Sequence, residues 1–334
     1  MNRFDIASVR GRWLSVIAVS LTVLAVVSFS AVERGHRLAA SEDARTVSVA
    51  AGLGGALSVI RSAVLGAQPV PITAAPIPLW SEEFDAGPTL DDRVWSFDLG
   101  SGGWGNLELQ TYSNDLLNAR VAAGRLLITA REEWVGQRRT FTSARVKTED
   151  KVTVRYGTIE ARIKGPDLAD GLWPAFWLLG NSFSSVGWPD CGEIDVMEMG
   201  HLSGIQKGLV NRRVMSAAHW EFNGQYAGYG RSHDAPRDLD GSYHIYRMEW
   251  TPRLISTYID DAWIWSMDIS DPDSFGGHEF HEPHFFILNV AVGGTFTGLL
   301  DPDQITAPFP AELEVDYIRV YDNGYTELGG SAFK

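Results

Sequence analysis

Residues 188–200 read W-P-D-C-G-E-I-D-V-M-E-M-G and place three carboxylates, Glu193, Asp195 and Glu198, in an otherwise apolar run. Successive side chains of a β-strand point to opposite faces, so Glu193 and Asp195 share one face and the intervening apolar residues share the other. Glu198 has the wrong parity, and a β-bulge near Met197 would return it to the acidic face. The stretch therefore predicts a bulged strand with three carboxylates on one side.

This carboxylate cluster is the strongest chemical signal in the chain. With a bulge between them, the side chains of Glu193 and Glu198 can bring their carboxyl groups to about 5–6 Å, the separation used by retaining glycosidases. The alternative is an exposed acidic strand face. However, three solvated carboxylates would repel one another and would need no bulge, so we interpret the cluster as acid/base machinery.

Composition narrows the class of partner. The 334 residues carry a formal net charge of −14, which argues against nucleic acid or an anionic membrane as the main partner. Twelve tryptophans in an acidic chain suit neutral sugars, whose C–H faces stack on aromatic rings. The single cysteine, Cys191, excludes an intramolecular disulfide, and its sequence setting indicates a buried hydrophobe rather than a nucleophile.

The first 32 residues have the pattern of an export signal. Three arginines precede an uncharged run at 13–32, which is typical of a signal peptide or of an N-terminal membrane anchor. Whether this segment is cleaved stays open, so a membrane tether through residues 13–32 is one of the two expectations. We expect an exported protein, extracellular or periplasmic. Residues 33–78, rich in alanine and proline, are predicted to form a linker.

From residue 79 onward, short strand-like segments alternate with turn signals. The predicted strands are Leu126–Ala130, Thr158–Ile163, Trp173–Leu179, Glu193–Met199, Tyr243–Trp250, Ile255–Ile259, Phe285–Val292 and Leu313–Tyr321. Regular short strands without long periodic helices indicate an all-β sandwich. We expect one catalytic domain at 79–323 and a C-terminal tail at 324–334.

Three further segments carry candidate binding residues. In W-P-A-F-W at 173–177, Trp173 and Trp177 would share one strand face and form an aromatic platform for a sugar; the alternative places both in the core. The Gly-rich loop at 102–110, with Trp104 at its apex, is either a substrate-grasping loop or a plain surface turn. His219 precedes a predicted Gly- and Tyr-rich loop at 222–230 and would bond to substrate, bond to the acid/base, or be structural.

Together these segments resemble glycoside hydrolase family 16, and within it the bacterial laminarinase-like endo-β-1,3-glucanases. The most specific element is G-E-I-D-V-M-E at 192–198, which matches the bulged E-x-D-x-x-E signature of the family. Supporting segments are G-W-G-N at 103–106, W-P-A-F-W at 173–177, L-N-V-A-V-G-G at 288–294 and V-D-Y-I-R-V-Y at 315–321. The resemblance covers residues 79–322.

The resemblance implies a concanavalin A-like β-jelly-roll with a concave substrate groove and a retaining endo-hydrolase of β-1,3-glucan. Glu193 would be the nucleophile and Glu198 the general acid, while the charge of Asp195 would hold the proton on Glu198. The residues that match substrate-binding positions of the family are Trp104, Asn106, Arg145, Trp173, Trp177, Trp188, His219 and Asn289.

The resemblance implies no cofactor for catalysis, a structural calcium at Glu83 and Asp316, and a polysaccharide partner; we expect a monomer. The chain departs from the family at Leu107, where laminarinases often have Asn, and in the segment 206–229, so the exact glucan stays open. The alternatives are a galactan hydrolase of the agarase or carrageenase type, a glucan transglycosylase, and a non-catalytic glucan-binding protein.

Overall fold

Two large β-sheets pack face to face in the computed structural model of this protein, which describes residues 76–334. The predicted signal peptide or anchor at 1–32 and nearly all of the predicted linker at 33–78 lie outside the described residues. Within residues 76–334, no helix has the length and apolar character needed to cross a bilayer. The prediction of an all-β sandwich is confirmed.

The strands are short and follow one another with brief connections. In chain order they are β1 (Trp80–Glu82), β2 (Ser96–Asp98), β3 (Gln110–Tyr112), β4 (Ala119–Val121), β5 (Leu126–Val135), β6 (Arg138–Ser143), β7 (Arg145–Lys147), β8 (Thr153–Arg155), β9 (Gly157–Lys164), β10 (Leu172–Gly180), β11 (Glu193–Met199), β12 (Arg213–Phe222), β13 (Gln225–Asp234), β14 (His244–Trp250), β15 (Leu254–Ile259), β16 (Ala262–Asp268), β17 (His284–Val292), β18 (Ala311–Tyr321) and β19 (Glu327–Gly329). The α-helices are α1 (Phe183–Val186), α2 (Leu202–Lys207) and α3 (Pro272–Phe275), and single 3₁₀ turns lie at Gly103–Gly105, His278–His281, Pro302–Gln304 and Ser331–Phe333.

The strand order differs from the chain order in both sheets. The ten-stranded sheet runs β16-β15-β14-β9-β18-β5-β6-β3, with β1 beside β18 and β4 beside β5. The nine-stranded sheet runs β13-β12-β11-β10-β17-β7-β2, with β8 beside β17 and β19 beside β8. Strand pairs are antiparallel except β3 with β6. The acidic strand β11 therefore lies near the middle of the nine-stranded sheet.

The core lies between the two sheets and fixes which side of β10, β11 and β17 faces outward. Phe176, Ile194 and Leu288 of the nine-stranded sheet are fully buried against Ile159 and other aliphatic residues of the ten-stranded sheet. Each such side chain contributes about 1.5–3 kcal/mol on burial. Because side chains alternate along a strand, burying this set turns the neighbouring acidic and aromatic residues away from the core.

All eight predicted strands are present, but the predicted loop at 222–230 is wrong. Strands β12 and β13 form a long hairpin in which Phe222 pairs with Gln225. Asn223 and Gly224 form the two-residue turn with φ angles of 56° and 74°, as a type I′ turn requires. The Asn-Gly pair is the sequence signal for this hairpin turn. The glycine and tyrosine residues that follow it are more typical of a loop and hid the pattern of strand β13.

The residues set aside as a C-terminal tail, 324–334, also contribute to the sheet. Strand β19 pairs with β8, and the backbone N–H of Ser331 donates to the carbonyl of Asp150. The end of the described chain is therefore held by hydrogen bonds to the nine-stranded sheet.

Candidate active site

The predicted bulge lies in β11 and brings the three carboxylates to one face. Asp195 pairs with Ala217 and Glu198 with Met215, so Val196 and Met197 together oppose a single residue of β12. The side chains of Val196 and Met197 are buried in the core. The extra residue restores the parity of Glu198, as the sequence pattern predicted.

A groove of about 520 Å³ lies on the outward face of the nine-stranded sheet, and the carboxylates form part of its floor. It contains all three catalytic candidates and seven of the eight residues that match substrate-binding positions. Those that line the groove are Glu193, Asp195, Glu198, Trp104, Asn106, Arg145, Trp173, Trp177, Trp188 and Asn289. The eighth, His219, lies beside the carboxylates, with Nε2 3.0 Å from Asp195 Oδ2.

The aromatic platform predicted for β10 is present, and Trp173 also contacts the catalytic candidates directly. Trp173 and Trp177 line the groove while Phe176 is buried, so the alternative that placed both tryptophans in the core is wrong. The indole N–H of Trp173 donates to Glu198 Oε1 at 2.9 Å, and its ring stacks on Phe296 at 4.5 Å between centroids. Stacking and hydrogen bond together fix the position of the Glu198 carboxyl.

Arg145 and Asn289 hold the other wall of the groove together. The guanidinium of Arg145 lies over the ring of Trp177 at 4.6 Å and over that of Trp104 at 5.4 Å, and its Nε is 2.9 Å from Asp98 Oδ2. Asn289 accepts a hydrogen bond from the Trp177 indole at 2.8 Å. Such cation–π contacts contribute about 0.5–2 kcal/mol each and so stabilise this arrangement of the wall.

The Gly-rich loop forms part of the groove and is more than a surface turn. Trp104 adopts a left-handed conformation, φ 50°, which carries its ring over the groove beside Arg145. Glu108, which the sequence analysis did not single out as a site residue, also lines the groove and accepts hydrogen bonds from Asn106 Nδ2 and Gln110 Nε2. Its position within the Gly-rich loop at 102–110 was the only sequence signal for this role.

A second residue missed by the sequence analysis is Tyr226 of β13. Its hydroxyl is 2.8 Å from Nδ1 of His219, and its ring stacks on both His219 and Trp188. Tyr226 lay inside the segment that had been predicted as a loop, so no strand face could be assigned to it. The hairpin places it at the edge of the carboxylate cluster.

Burial raises the pKa of all three carboxyl groups, and the charge of Asp195 adds to this for its two neighbours. Burial and the charge of Asp195 also raise the pKa of Glu193, while the nearby Arg145 opposes this rise and favours the ionised form. Burial and the charges of Asp195 and Glu193 raise the pKa of Glu198 well above its usual range. Because like charges in a buried cluster cannot all be present, Glu198 keeps its proton at neutral pH.

Cys191 behaves as the sequence predicted. The residue is buried next to Gly192 at the start of β11, and burial raises the pKa of its thiol to about 12. A thiol with so high a pKa is not a nucleophile at neutral pH.

The carboxylates matched to a structural calcium, Glu83 and Asp316, are each engaged by a different arginine. Both oxygens of Glu83 accept from Arg319, at 2.8 and 2.9 Å, and Asp316 Oδ2 accepts from Arg162 at 2.6 Å. In this structure each of these two carboxylates therefore already has a guanidinium partner. The calcium site stays a prediction, and the chemistry below does not depend on it.

Comparison with known proteins agrees with the site. Residues 108–308 match the model of Glycosyl hydrolases family 16. The chain is 39% identical over 253 residues to a beta-glucanase of Rhodothermus marinus, and the match covers 73% of this chain and 84% of that relative. It is 33% identical over 255 residues to a glucan endo-1,3-beta-glucosidase of Cryptopygus antarcticus, and that match covers 72% of this chain and 90% of the relative.

A solved structure gives the same result for the fold. The catalytic domain of an endo-1,3-beta-glucanase (laminarinase) from Thermotoga petrophila superimposes with a TM-score of 0.63 at 36% identity, covering 75% of this chain and 99% of that domain. The sandwich is therefore the jelly-roll that the sequence resemblance implied. By sequence, fold and the bulged carboxylate strand, the chain belongs to glycosyl hydrolase family 16.

Proposed function

We propose that this protein cleaves β-1,3-glucan internally with retention of anomeric configuration. The observation that carries the proposal is that the bulge in β11 places Glu193 and Glu198 on the same face of an open groove, on either side of Asp195. The beta-glucanase and the glucan endo-1,3-beta-glucosidase among the relatives support a β-1,3-glucan as substrate. The rings of Trp173, Trp177 and Trp188 offer faces suited to a neutral sugar chain.

In the first step, Glu193 attacks the anomeric carbon of the sugar on one side of the scissile bond. Glu198, which keeps its proton because burial and its neighbours raise its pKa, gives that proton to the leaving glycosidic oxygen. The C–O bond of the glycoside breaks as the bond to the Glu193 carboxylate forms. The products are a covalent glycosyl-enzyme and a shortened glucan with a free hydroxyl.

In the second step, Glu198 is a carboxylate and acts as a base. It takes a proton from a water molecule, which attacks the anomeric carbon and displaces Glu193. Two inversions give net retention, and both glutamates return to their starting protonation states. Trp173, whose indole N–H donates to Glu198, holds this carboxyl in place through both proton transfers.

Asp195 tunes this exchange because it lies between the two glutamates on the groove face. Its charge raises the pKa of Glu198 and helps keep the acid protonated until Glu193 has been consumed. Nε2 of His219 lies 3.0 Å from Oδ2 of Asp195 and gives this carboxyl a hydrogen-bonding partner. Asp195 therefore acts through the protonation of its two neighbours.

Product analysis tests the proposal. The purified protein is incubated with laminarin, lichenan, agarose and carrageenan, and new reducing ends are followed by proton NMR. We expect oligosaccharides from laminarin that appear first as the β anomer. Cleavage of a galactan but not of a glucan would mean that the substrate is a galactan. Products formed mainly by transfer to other sugars would indicate a transglycosylase. Binding without cleavage would overturn the enzymatic proposal.

We also propose that the protein is exported and monomeric. Export is supported by the basic flank and the uncharged run at 13–32, and the same run would serve as a tether if it is retained. Cell fractionation with N-terminal sequencing of the mature protein distinguishes a cleaved signal from an anchor. A species in gel filtration well above the mass of one chain would contradict the monomer.

A further inference from the structure

The ring of Tyr226 lies across a glycine in order to reach His219. In the β12–β13 hairpin, His219 pairs with Gly228, and Tyr226 precedes Gly228 by two residues on the same strand face. A Cβ atom built on Gly228 would come within 2.5 Å of the Tyr226 hydroxyl and 3.0 Å of His219 Nδ1. The space that brings the phenol to the imidazole therefore exists only because residue 228 has no side chain.

The Tyr226 ring is held in this position by aromatic contacts. It stacks on Trp188 with centroids 5.3 Å apart and on His219 with centroids 5.7 Å apart. The remaining ring surface is open, and 56% of the residue is exposed. A phenol in this setting could serve either as a sugar contact or as a hydrogen-bonding partner for His219, and these two roles have separable consequences.

The two nitrogens of His219 face different partners. Nε2 is 3.0 Å from Asp195 Oδ2, and Nδ1 is 2.8 Å from the Tyr226 hydroxyl. A neutral imidazole has one N–H and one lone pair, so a hydroxyl that donates to Nδ1 leaves the hydrogen on Nε2. From Nε2 the imidazole then donates to the Asp195 carboxylate, which is 4% exposed.

We propose that Tyr226 is a positioning residue that fixes His219 in the Nε2–H tautomer and thereby keeps a hydrogen-bond donor on Asp195. This inference rests on the proposed double displacement, because it acts through the aspartate that tunes the two glutamates. In the other tautomer the lone pair of Nε2 would face a buried carboxylate. Asp195 would lose its donor, and the protonation of the cluster would change.

The surroundings of His219 contain no other group placed to supply this hydrogen bond within the described residues. The charged and titratable groups near the imidazole are Glu193, Asp195 and Glu198 from β11 and Tyr226 from β13. Glu221, the next residue on this face of β12, accepts from the backbone N–H of Gly224 at the turn instead. The Asp195 carboxylate already favours a hydrogen on Nε2, and Tyr226 is the one described group placed to donate to Nδ1 and so to hold His219 in that tautomer.

The test combines kinetics with ¹⁵N NMR of the histidine-labelled, substrate-free protein. Tyr226→Phe keeps the ring and removes the hydroxyl. We expect the His219 nitrogen shifts to move from those of the Nε2–H tautomer toward a mixture of both, kcat on laminarin to fall about tenfold, and KM to change less than twofold. Gly228→Ala, which displaces the phenol without removing a functional group, should reproduce these effects.

A matched control is available on the same strand. Tyr229 packs edge-on against Trp265 away from the carboxylates, and Tyr229→Phe should leave the tautomer and kcat unchanged. If Tyr226→Phe keeps the wild-type tautomer, or leaves kcat unchanged, the proposal is overturned, and a rise in KM alone would make Tyr226 a sugar contact. Because the NMR measurement needs no substrate, it tests the tautomer even if laminarin is not the substrate.

Discussion

The indole N–H of Trp173 donates to Oε1 of Glu198 at 2.9 Å, so the aromatic platform and the acid/base share a residue. One side of the Trp173 ring is covered by Phe296, at 4.5 Å with a 10° angle between the planes. This stack leaves the tryptophan little freedom to rotate away from Glu198. The sugar-binding surface and the proton donor are therefore positioned by the same side chain.

We expect Trp173→Phe to lower kcat on laminarin about tenfold, because an aromatic ring remains on the platform while the hydrogen bond that holds the Glu198 carboxyl is lost. This hydrogen bond lowers the pKa of Glu198, so its removal should move the alkaline limb of the pH–kcat profile to higher pH. The control is Trp134→Phe, at an exposed position in β5. A profile that moves toward lower pH would contradict the role given to this bond.

Neutralising Asp195 should move the whole pH profile toward acid. The negative charge of Asp195 raises the pKa of both Glu193 and Glu198, so Asp195→Asn lowers both values. The nucleophile then ionises at lower pH, and the acid loses its proton at lower pH. We expect kcat to fall about 10–100-fold at neutral pH, a smaller loss than on removing either glutamate. The measurement is kcat/KM on laminarin between pH 4 and 10. If the acidic and alkaline limbs of this pH profile do not move, Asp195 does not control the pKa values of the two glutamates.

Azide should distinguish the two glutamates. Glu193→Ala and Glu198→Ala should each reduce hydrolysis of laminarin by about 10³-fold or more, because each role occurs in both steps. On an activated aryl glycoside, azide should take the place of the missing nucleophile in Glu193→Ala and give the α-glycosyl azide. In Glu198→Ala it should attack the glycosyl-enzyme and give the β product. Full activity of Glu193→Ala would disprove the mechanism. If Glu193→Ala gave the β product and Glu198→Ala the α product, Glu198 would be the nucleophile and Glu193 the acid/base.

Leu107 should be a site where stability can be gained. Its φ is 57°, a left-handed conformation that a leucine adopts at a cost of about 1–2 kcal/mol, and its side chain is 60% exposed. Asn tolerates this conformation better, so Leu107→Asn should raise the free energy of unfolding by about 0.5–1 kcal/mol. Urea denaturation measures the change. Leu117→Asn, at an equally exposed leucine that lacks a positive φ, should change stability by less than about 0.5 kcal/mol.

Much of the site could be predicted because it depends on local periodicity. The parity of Glu193, Asp195 and Glu198 required a bulge, and the alternation in W-P-A-F-W placed Trp173 and Trp177 on one face. Both predictions are confirmed because a buried core on one side of a strand fixes the direction of every side chain along it. The Asn-Gly pair also predicts the turn that closes the β12–β13 hairpin, although the segment was interpreted as a loop.

The sequence by itself determined the strands, the bulge and the identity of the carboxylates, because each of these follows from the order of residues along one strand. Only the tertiary structure decided which distant side chains meet. Arg145 lies between Trp104 and Trp177, Tyr226 reaches His219 across Gly228, and Glu83 is paired with Arg319. These contacts depend on the register between strands and on side-chain rotamers, which are set by packing the whole sheet and not by any local pattern.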